Sequence, residues 1–469
     1  MVRNFQMKII SCLMLVLLYY IVGDKNIYLY VLSLALYRLF LACFKNITIA
    51  DILNKYQDSY GKYKIFKLTI LIIVVISLIF LLLSIMISDV IGNLLKINNS
   101  FMTFFMMGLS ISCDPITRIA LEYIDNLNYK KLNNGLYNLY SYLEIVLILV
   151  IALVVFMNNW LSIDMANGML YLSKIISALI VNGITFIIVF RKKKNLKSRE
   201  CKEIDYKAEI KKIFNRNNVL RIVSIGESVY YYFSIIILYL MLLKRYSYML
   251  EDVVSIISFL YFYVFNIVSF IGDILIKKHN KRLKVLDKIY WIFDNYLNLA
   301  IIMGIMAPLI CFVIFNSSEM GIYLVMGCFL GIFITLYRVT FEELGNHKLG
   351  CLSLGLGICA KIVLMIPLVD SFYRMGYNLV YGDIISTIIG MSISIIVNYI
   401  YFKNKERDEK FFEKLLRSMY ESIFLCIILV IIQFIIPIRT NNYIYSLLLM
   451  FVYGYVGSLF IKFKRKKRV

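Results

Sequence analysis

Residues 191–218 read RKKKNLKSRECKEIDYKAEIKKIFNRNN, the longest polar stretch in a chain of 469 residues that is otherwise a succession of apolar runs. Working outward from it, six apolar runs precede and eight follow, each of a length suited to a helix that crosses a bilayer at roughly 20 residues per crossing. They fall at about 8–22, 27–44, 68–92, 97–121, 135–157, 165–190, 219–243, 253–276, 289–315, 321–341, 351–369, 379–402, 418–437 and 443–461. Hydrophobic residues make up 61% of the chain and charged residues 17%, with a mean hydropathy of +0.78, against roughly 45–50% apolar and 25% charged in soluble domains. The sequence therefore describes an all-α polytopic membrane protein of about 14 transmembrane helices, with no room for a soluble catalytic domain. The polar stretch separates a six-helix lobe, 1–190, from a second one, 219–402; residues 403–469 hold two further helices and a basic tail.

The net charge of +22 would point to nucleic acid in a soluble protein, but in a membrane protein it reports topology first, and no nucleic-acid partner is expected. Of the 51 Lys and Arg, 39 fall on alternate connections on one side, counting the N-terminus through Lys8. The other side holds only Lys25, Lys96, Lys244, Arg245, Arg374 and Arg439. Because basic loops stay in the cytoplasm, both termini are expected there, in a multi-pass protein of the cytoplasmic membrane.

Several segments have a plain reading. The nine cysteines stand singly, with no CxxC pair, and read as small apolar side chains, not disulfides or zinc ligands. The N-terminus has the basic start of a signal peptide but no small-residue cleavage site, so it is expected to be a first helix. Residues 191–218 read as a solvated cytoplasmic linker with a short amphipathic helix on the anionic leaflet. Residues 47–67, with Ile49, Ile52, Leu53 and Tyr56 at helical spacing, are expected to lie along the inner membrane surface. The tail KFKRKKRV reads as an anchor to lipid head groups, which makes membrane lipids partners. Pro115, Pro308, Pro367 and Pro437 fall inside or at the ends of spans, where a kink is tolerated.

Enzyme chemistry is poorly provided for. His279 and His347 lie in separate cytoplasmic loops, and no HExxH, DxD, phosphate-cradling glycine loop or Ser/His/Asp set is visible. The outer loops are short and carry only Asp24, Asp164, Glu251, Asp252, Glu319 and Asp370. No catalytic residue, metal or cofactor is expected. What the chain does carry is ionisable side chains at membrane depth, each costing roughly 2.5–3.5 kcal/mol at a helix centre. Glu144 and Lys174 fall mid-span on adjacent spans that run in opposite directions and are expected to pair. Lys361 is central in span eleven, and Arg38 and Glu227 sit in the inner halves of spans two and seven. Asp114 and Arg118, four residues apart on one helix face, form either a self-neutralised structural pair or part of a polar cavity. Arg221 and Arg338, near span ends, contact either lipid head groups or substrate. Tyr230, Tyr231 and Tyr232 could line a wet cavity or belong to an interfacial aromatic belt.

Three stretches carry a family resemblance. Residues 337–402, YRVTFEELGNHKLGCLSLGLGICAKIVLMIPLVDSFYRMGYNLVYGDIISTIIGMSISIIVNYIYF, place a short glycine-containing turn, Glu343 to Lys348, before a span with a central lysine, Lys361, and then a small-residue helix around Gly376 to Gly390. MGIMAPLICFVIFN (303–316) and CDPITRIALEYIDNLNYKKLNNGLYNLYSYLEIV (113–146), with Glu144 near its end, extend the pattern. Together they resemble the polysaccharide transporter branch of the multidrug/oligosaccharidyl-lipid/polysaccharide (MOP) exporter superfamily, in the style of its stage V sporulation protein B-like and lipid II flippase-like members. Glu144 occupies that family's glutamate position.

The resemblance implies two six-helix lobes facing each other across a central cavity, with spans thirteen and fourteen outside. It implies a flippase that moves a lipid-linked oligosaccharide or polysaccharide precursor by alternating access, in contact with a polyprenyl-(pyro)phosphate-linked saccharide and with envelope-glycan biosynthesis enzymes. Arg38, Asp114, Arg118, Glu144, Lys174, Arg221, Glu227 and Lys361 are then the expected cavity residues. The alternatives are a MATE-like drug or cation exporter, a membrane-embedded glycan polymerase or acyltransferase, and a scaffold that keeps the fold without transport.

Overall fold

The computed structural model describes residues 24–44, 59–95, 100–157, 161–193, 284–315, 321–344, 347–406, 411–436 and 443–466, with residue 21 and short pieces within 47–54, 225–241 and 271–276. Among these residues there is no strand, and ten helices are long and apolar enough to cross a membrane. The ten match expected spans three to six and nine to fourteen, and the shorter apolar helix Leu29–Ala42 matches span two. Expected span one, most of spans seven and eight, and the helix expected within 191–218 lie outside the described residues.

The chain folds into two compact units, Met1–Val254 and Ser255–Val469. The first unit contains α1 (Asp24–Ala42), α2 (Ser59–Leu95), α3 (Phe101–Ser110), α4 (Cys113–Asn126), α5 (Lys130–Met157), α6 (Ile163–Leu170), α7 (Leu172–Lys193) and a π-helical turn, Val229–Phe233. Two of its outer helices are α2 and α5, each with 17% of its most apolar stretch buried; α2 exposes Leu71, Leu78, Leu82, Met86 and Val90 along one side, as a surface solvated by lipid tails requires. The interior helices are α3 and α4, where 67% of the most apolar stretch is buried against 17% in α2.

Two spans are broken at mid-depth. The run 97–121 is continuous in hydropathy, yet α3 ends at Ser110 and α4 starts at Cys113. Pro115 accounts for the break: it has no N–H for an i→i−4 bond, and its ring collides with the carbonyl of residue 111 in an unbroken helix. Between α6 and α7 the single residue Tyr171 interrupts the helix, with tightened bonds from its own N–H to the Gly168 carbonyl and from the Lys174 N–H to the Tyr171 carbonyl. A side chain from α6 caps the other end of α3, its N-terminus. The Asp164 carboxylate accepts from the Met102 N–H at 2.9 Å and the Thr103 N–H at 2.8 Å, and from the Thr103 hydroxyl at 2.7 Å. These are orphan amides of a helix N-terminus, met here by a residue 61 positions away. Asp164, placed by sequence reading in a short outer loop, is buried. Asp164→Ala is expected to lower stability by about 2 kcal/mol, measured as thermal unfolding in detergent, with Asp164→Asn costing less because one acceptor oxygen survives.

Two further sequence expectations are corrected here. Ile47, Ile49 and Leu53 do not lie along the inner leaflet: all three are buried, the Ile49 N–H donates to Glu122 of α4 at 2.9 Å, and residues 59–67 already belong to α2. The basic tail is not wholly an anchor to lipid, because Lys464 is buried among carboxylates of the second unit, as described next.

That second unit contains α8 (Val285–Phe315), α9 (Gly321–Leu344), α10 (His347–Arg374), α11 (Val380–Glu406), α12 (Phe411–Ile435) and α13 (Tyr443–Lys466). The helix α8 is its hub, packing against α9, α12 and α13. Ile302 and Leu309 of α8 share an apolar cluster with Leu425, Leu429, Leu449 and Tyr453. Nearer the basic end, Lys464 of α13 reaches Asp294 of α8 at 2.5 Å and Glu421 of α12 at 3.1 Å, and the Ser418 hydroxyl donates to Asp294 at 2.6 Å. Leaving Lys464 out of water is offset because both partners come with it. The hairpin α10–α11 turns at Gly376, whose φ of +77° is a left-handed conformation that favours glycine. It then closes tightly at Gly382, where a Cβ would lie 2.5 Å from the Val369 backbone nitrogen.

Candidate functional site

In the first unit the two breaks bring ionisable residues together: Asp114 and Lys174 lie 3.9 Å apart. Asp114 stands in the first turn of α4, where the N-terminal partial charge of the helix favours a carboxylate. Lys174, near the start of α7, meets the opposite preference and is stabilised by its neighbours. Its ammonium donates to Glu144 of α5, lies 3.9 Å from Asp114, and sits 5.2 Å from the ring centre of Tyr37. Lys174 is only 7% exposed, so an unpaired charge there would carry a large desolvation cost.

Two phenols hold Asp114. The Tyr37 hydroxyl of α1 donates to one carboxylate oxygen at 2.6 Å, and the Tyr140 hydroxyl of α5 donates to the other. Tyr37 in turn packs against Tyr171, with ring centres 6.1 Å apart, and the Tyr171 and Ser33 hydroxyls are 2.8 Å apart. The helix break at Tyr171 is thereby tied to α1, and α1 to the ion cluster. The apolar floor is built by Cys113, Leu121, Leu136, Tyr140, Ala178 and Val181 from α4, α5 and α7.

Arg118 does not neutralise Asp114, contrary to one of the two sequence readings. Its guanidinium donates to the backbone carbonyls of Phe44 and of Ile47, the latter at 2.9 Å, and so holds the turn that follows α1. The i,i+4 spacing places both residues on one face of α4, but Asp114 is engaged by the tyrosines and Lys174, while Arg118 reaches backbone carbonyls of the segment after α1.

Arg38 is different from all of these. Its side chain is exposed, and it lines a cavity of about 270 Å³ together with Asp114, Arg118, Ser228, Tyr232 and apolar side chains that include Phe44 and Pro115. Tyr232 comes from the π-helical turn, a local irregularity of the kind that is frequent at functional sites. Among the described residues Arg38 forms no ion pair, although Asp114 and Glu144 act on it electrostatically. Five of the eight expected cavity residues are thus assembled in one unit: Arg38, Asp114, Arg118, Glu144 and Lys174. Arg221 and the side chain of Glu227 lie outside the described residues.

Lys361 belongs to the second unit. It is buried on α10, donates to the Thr387 hydroxyl, and lies 3.4 Å from Asp383, both on α11. Asp383 is fully buried next to the close approach at Gly382. Sequence reading passed over Asp383 because it falls at a span end, and passed over Tyr37 and Tyr140 because 37 tyrosines offer no means of choosing among them. A signal was available at Asp114-Pro115, where an acidic residue directly precedes a helix-breaking proline inside an apolar run.

The architecture defined by these observations is that of a polytopic α-helical protein with broken helices and an ionisable cluster at mid-span, the arrangement by which membrane transporters line polar sites. Comparison with solved structures gives the particular likeness. The chain is similar to a structure described as lipid II flippase MurJ in an inward closed conformation, with a TM-score of 0.60 and 14% identity over 99% of this chain and 98% of that one. It also aligns with an inward-facing multidrug resistance MATE family transporter of the MOP superfamily, with a TM-score of 0.47 and 12% identity over 84% of this chain and 90% of that one. The first likeness is one of fold. The sequence matches no family model and no curated protein.

Proposed function

We propose that this protein is a flippase that carries a lipid-linked saccharide precursor across the cytoplasmic membrane by alternating access, receiving the phosphate of the polyprenyl carrier at Arg38. The observation that carries this reading is an exposed arginine, without an ion pair among the described residues, in a cavity at membrane depth. An arginine there is costly even with Asp114 and Glu144 acting on it, and an anionic ligand in the cavity offsets that cost. Asp114 and Arg118 line the same cavity, and Glu144 and Lys174 stand behind Asp114. Arg221 and Glu227 remain candidates on sequence grounds, Glu227 because Ser228 lines the same cavity. The fold shared with a lipid II flippase supports the same reading. A cation exporter would use Asp114 and Glu144 as the receiving groups, but both already address Lys174.

Orientation follows from the basic loops, with both termini in the cytoplasm. In intact cells, a membrane-impermeant thiol reagent is expected to label cysteines placed at Asn158 and Ser317 and to spare those at Ser198 and Lys410. Labelling at Ser198 reverses the orientation. The substrate class is tested by native mass spectrometry of the protein purified from its own membranes. A bound polyprenyl-phosphate glycolipid, lost in Arg38→Ala, is the expected result, and its absence from the wild type counts against the reading.

A further inference from the structure

Among the described residues the Arg38 cavity holds no surplus of positive charge. Arg38 and Lys174 stand with Asp114 and Glu144, two cations with two carboxylates, and Arg118 is faced by Glu122 of its own helix. A phosphate arriving at Arg38 also meets Asp114, which lines the same cavity and repels it. Net charge therefore does little to hold an anion there. Beyond the fork of Arg38 itself, affinity has to come from directional donors at short range.

The walls offer few such donors. Leu41, Ala42, Phe44 and Pro115 carry none on their side chains, and Asp114 is an acceptor. The Arg118 guanidinium already donates to the carbonyls of Phe44 and Ile47. Ser228 and Tyr232 are the remaining lining residues, and each carries a hydroxyl that is neutral and can turn its proton to an arriving oxygen.

The local fold brings both hydroxyl-bearing residues to Arg38. Tyr232 belongs to the π-helical turn Val229–Phe233, which packs against α1, the helix that carries Arg38. Ser228 directly precedes the turn, four residues from Tyr232, so the two stand about one helical turn apart. Of the tyrosine run 230–232, Tyr230 is fully buried, while Tyr232 is half-buried, lines the cavity and acts electrostatically on Arg38. A π-helical turn shifts the register of the side chains that follow it, a device frequent at functional sites.

We infer that the hydroxyls of Tyr232 and Ser228 complete the anion site, donating to the oxygens of the phosphate whose charge Arg38 receives. This rests on the reading of the Arg38 cavity as an anion site. Arginine joined by serine and tyrosine hydroxyls is a common way to hold phosphate oxygens, and neutral donors add affinity without adding charge to a site already balanced.

The test uses the purified full-length protein in detergent and two probes with the same chain: methyl farnesyl phosphate, which carries one negative charge, and farnesol, which carries none. Binding is followed by titration calorimetry, with thermal unfolding measured alongside. Tyr232→Phe and Ser228→Ala are each expected to lose about fivefold in affinity for the phosphodiester, the net worth of a neutral hydrogen bond, and to bind farnesol within about twofold of wild type. Wild-type affinity for the phosphodiester in either variant would overturn the inference. An equal loss for farnesol would do the same, because it would mean that the side chain only shapes the cavity around the chain. Each change deletes a single oxygen, and should one variant fail to fold, the other decides. A wild-type protein that binds the phosphodiester no better than farnesol, or binding untouched by Arg38→Ala, removes the anion site itself and the inference with it.

Discussion

Replacing Arg38 by alanine is expected to cut transport by about 100-fold, the worth of a bidentate charge-assisted contact of about 3 kcal/mol to an anionic head group. Folding should be nearly untouched. Arg38 is exposed to the cavity and forms no ion pair among the described residues, so its removal is expected to change stability by less than about 1 kcal/mol, the share owed to its longer-range attraction to Asp114 and Glu144. Arg38→Lys keeps the charge and loses the planar fork, and an intermediate transport rate is expected of it. Wild-type transport in Arg38→Ala would remove the assignment, and unfolding of that variant would reassign Arg38 to the scaffold. The assay is uptake of a lipid-linked saccharide by reconstituted vesicles, with thermal unfolding measured alongside.

The second large effect concerns Lys174. Lys174→Gln leaves Asp114 and Glu144 facing each other without their cation, and removal of one member of a buried pair costs about 3–5 kcal/mol. Glu144→Gln is milder, because Asp114 still lies 3.9 Å from the ammonium. The double change should be less harmful than Lys174→Gln alone, and the cycle should show a coupling of at least about 1 kcal/mol. Unfolding midpoints of the four proteins measure it, and additivity would mean that the two side chains do not interact in the folded protein. The three-membered geometry makes the effect asymmetric, which a simple Glu–Lys pair would not.

The spans were legible because a bilayer imposes a long apolar run on every crossing helix, and no internal packing detail can remove that signal. The Glu144–Lys174 contact was legible for a related reason: two opposite charges at similar depth on adjacent antiparallel spans have few other ways to offset their burial. Hydropathy is blind to what happens inside an apolar run. The breaks at 111–112 and at Tyr171 introduce no charged residue of their own, so the run 97–121 reads as one helix although Pro115 divides it. Arg118 was ambiguous because i,i+4 spacing reports a shared helix face and not what a neighbouring helix presents to it; here the presented groups are the carbonyls of Phe44 and Ile47. Lys464 was hidden in a run of basic residues whose average property is attraction to lipid head groups. Only the packing of α8 and α12 around it separates it from Lys462, which is exposed.

The polar cluster also explains why α1 is so strongly constrained for a helix with an arginine in it. Tyr30, Ser33 and Tyr37 tie α1 to Tyr171 and Asp114, and Arg118 holds the turn that follows it. Arg38 is thus mounted on a fixed helix while its own side chain stays open to the cavity. Fixed mounting reduces the ordering cost of binding, and helices position a site more tightly than loops do.

The central claim is that the protein moves an anionic lipid-linked saccharide between leaflets, and accessibility of the head group measures this directly. Vesicles reconstituted with the protein and a fluorescent polyprenyl-pyrophosphate saccharide are treated from outside with a membrane-impermeant quencher. With wild-type protein the quenched fraction is expected to rise from about half, the share of the outer leaflet, toward completeness, while vesicles carrying Arg38→Ala stay at about half. A quenched fraction that stays at half with correctly folded wild-type protein would contradict the account.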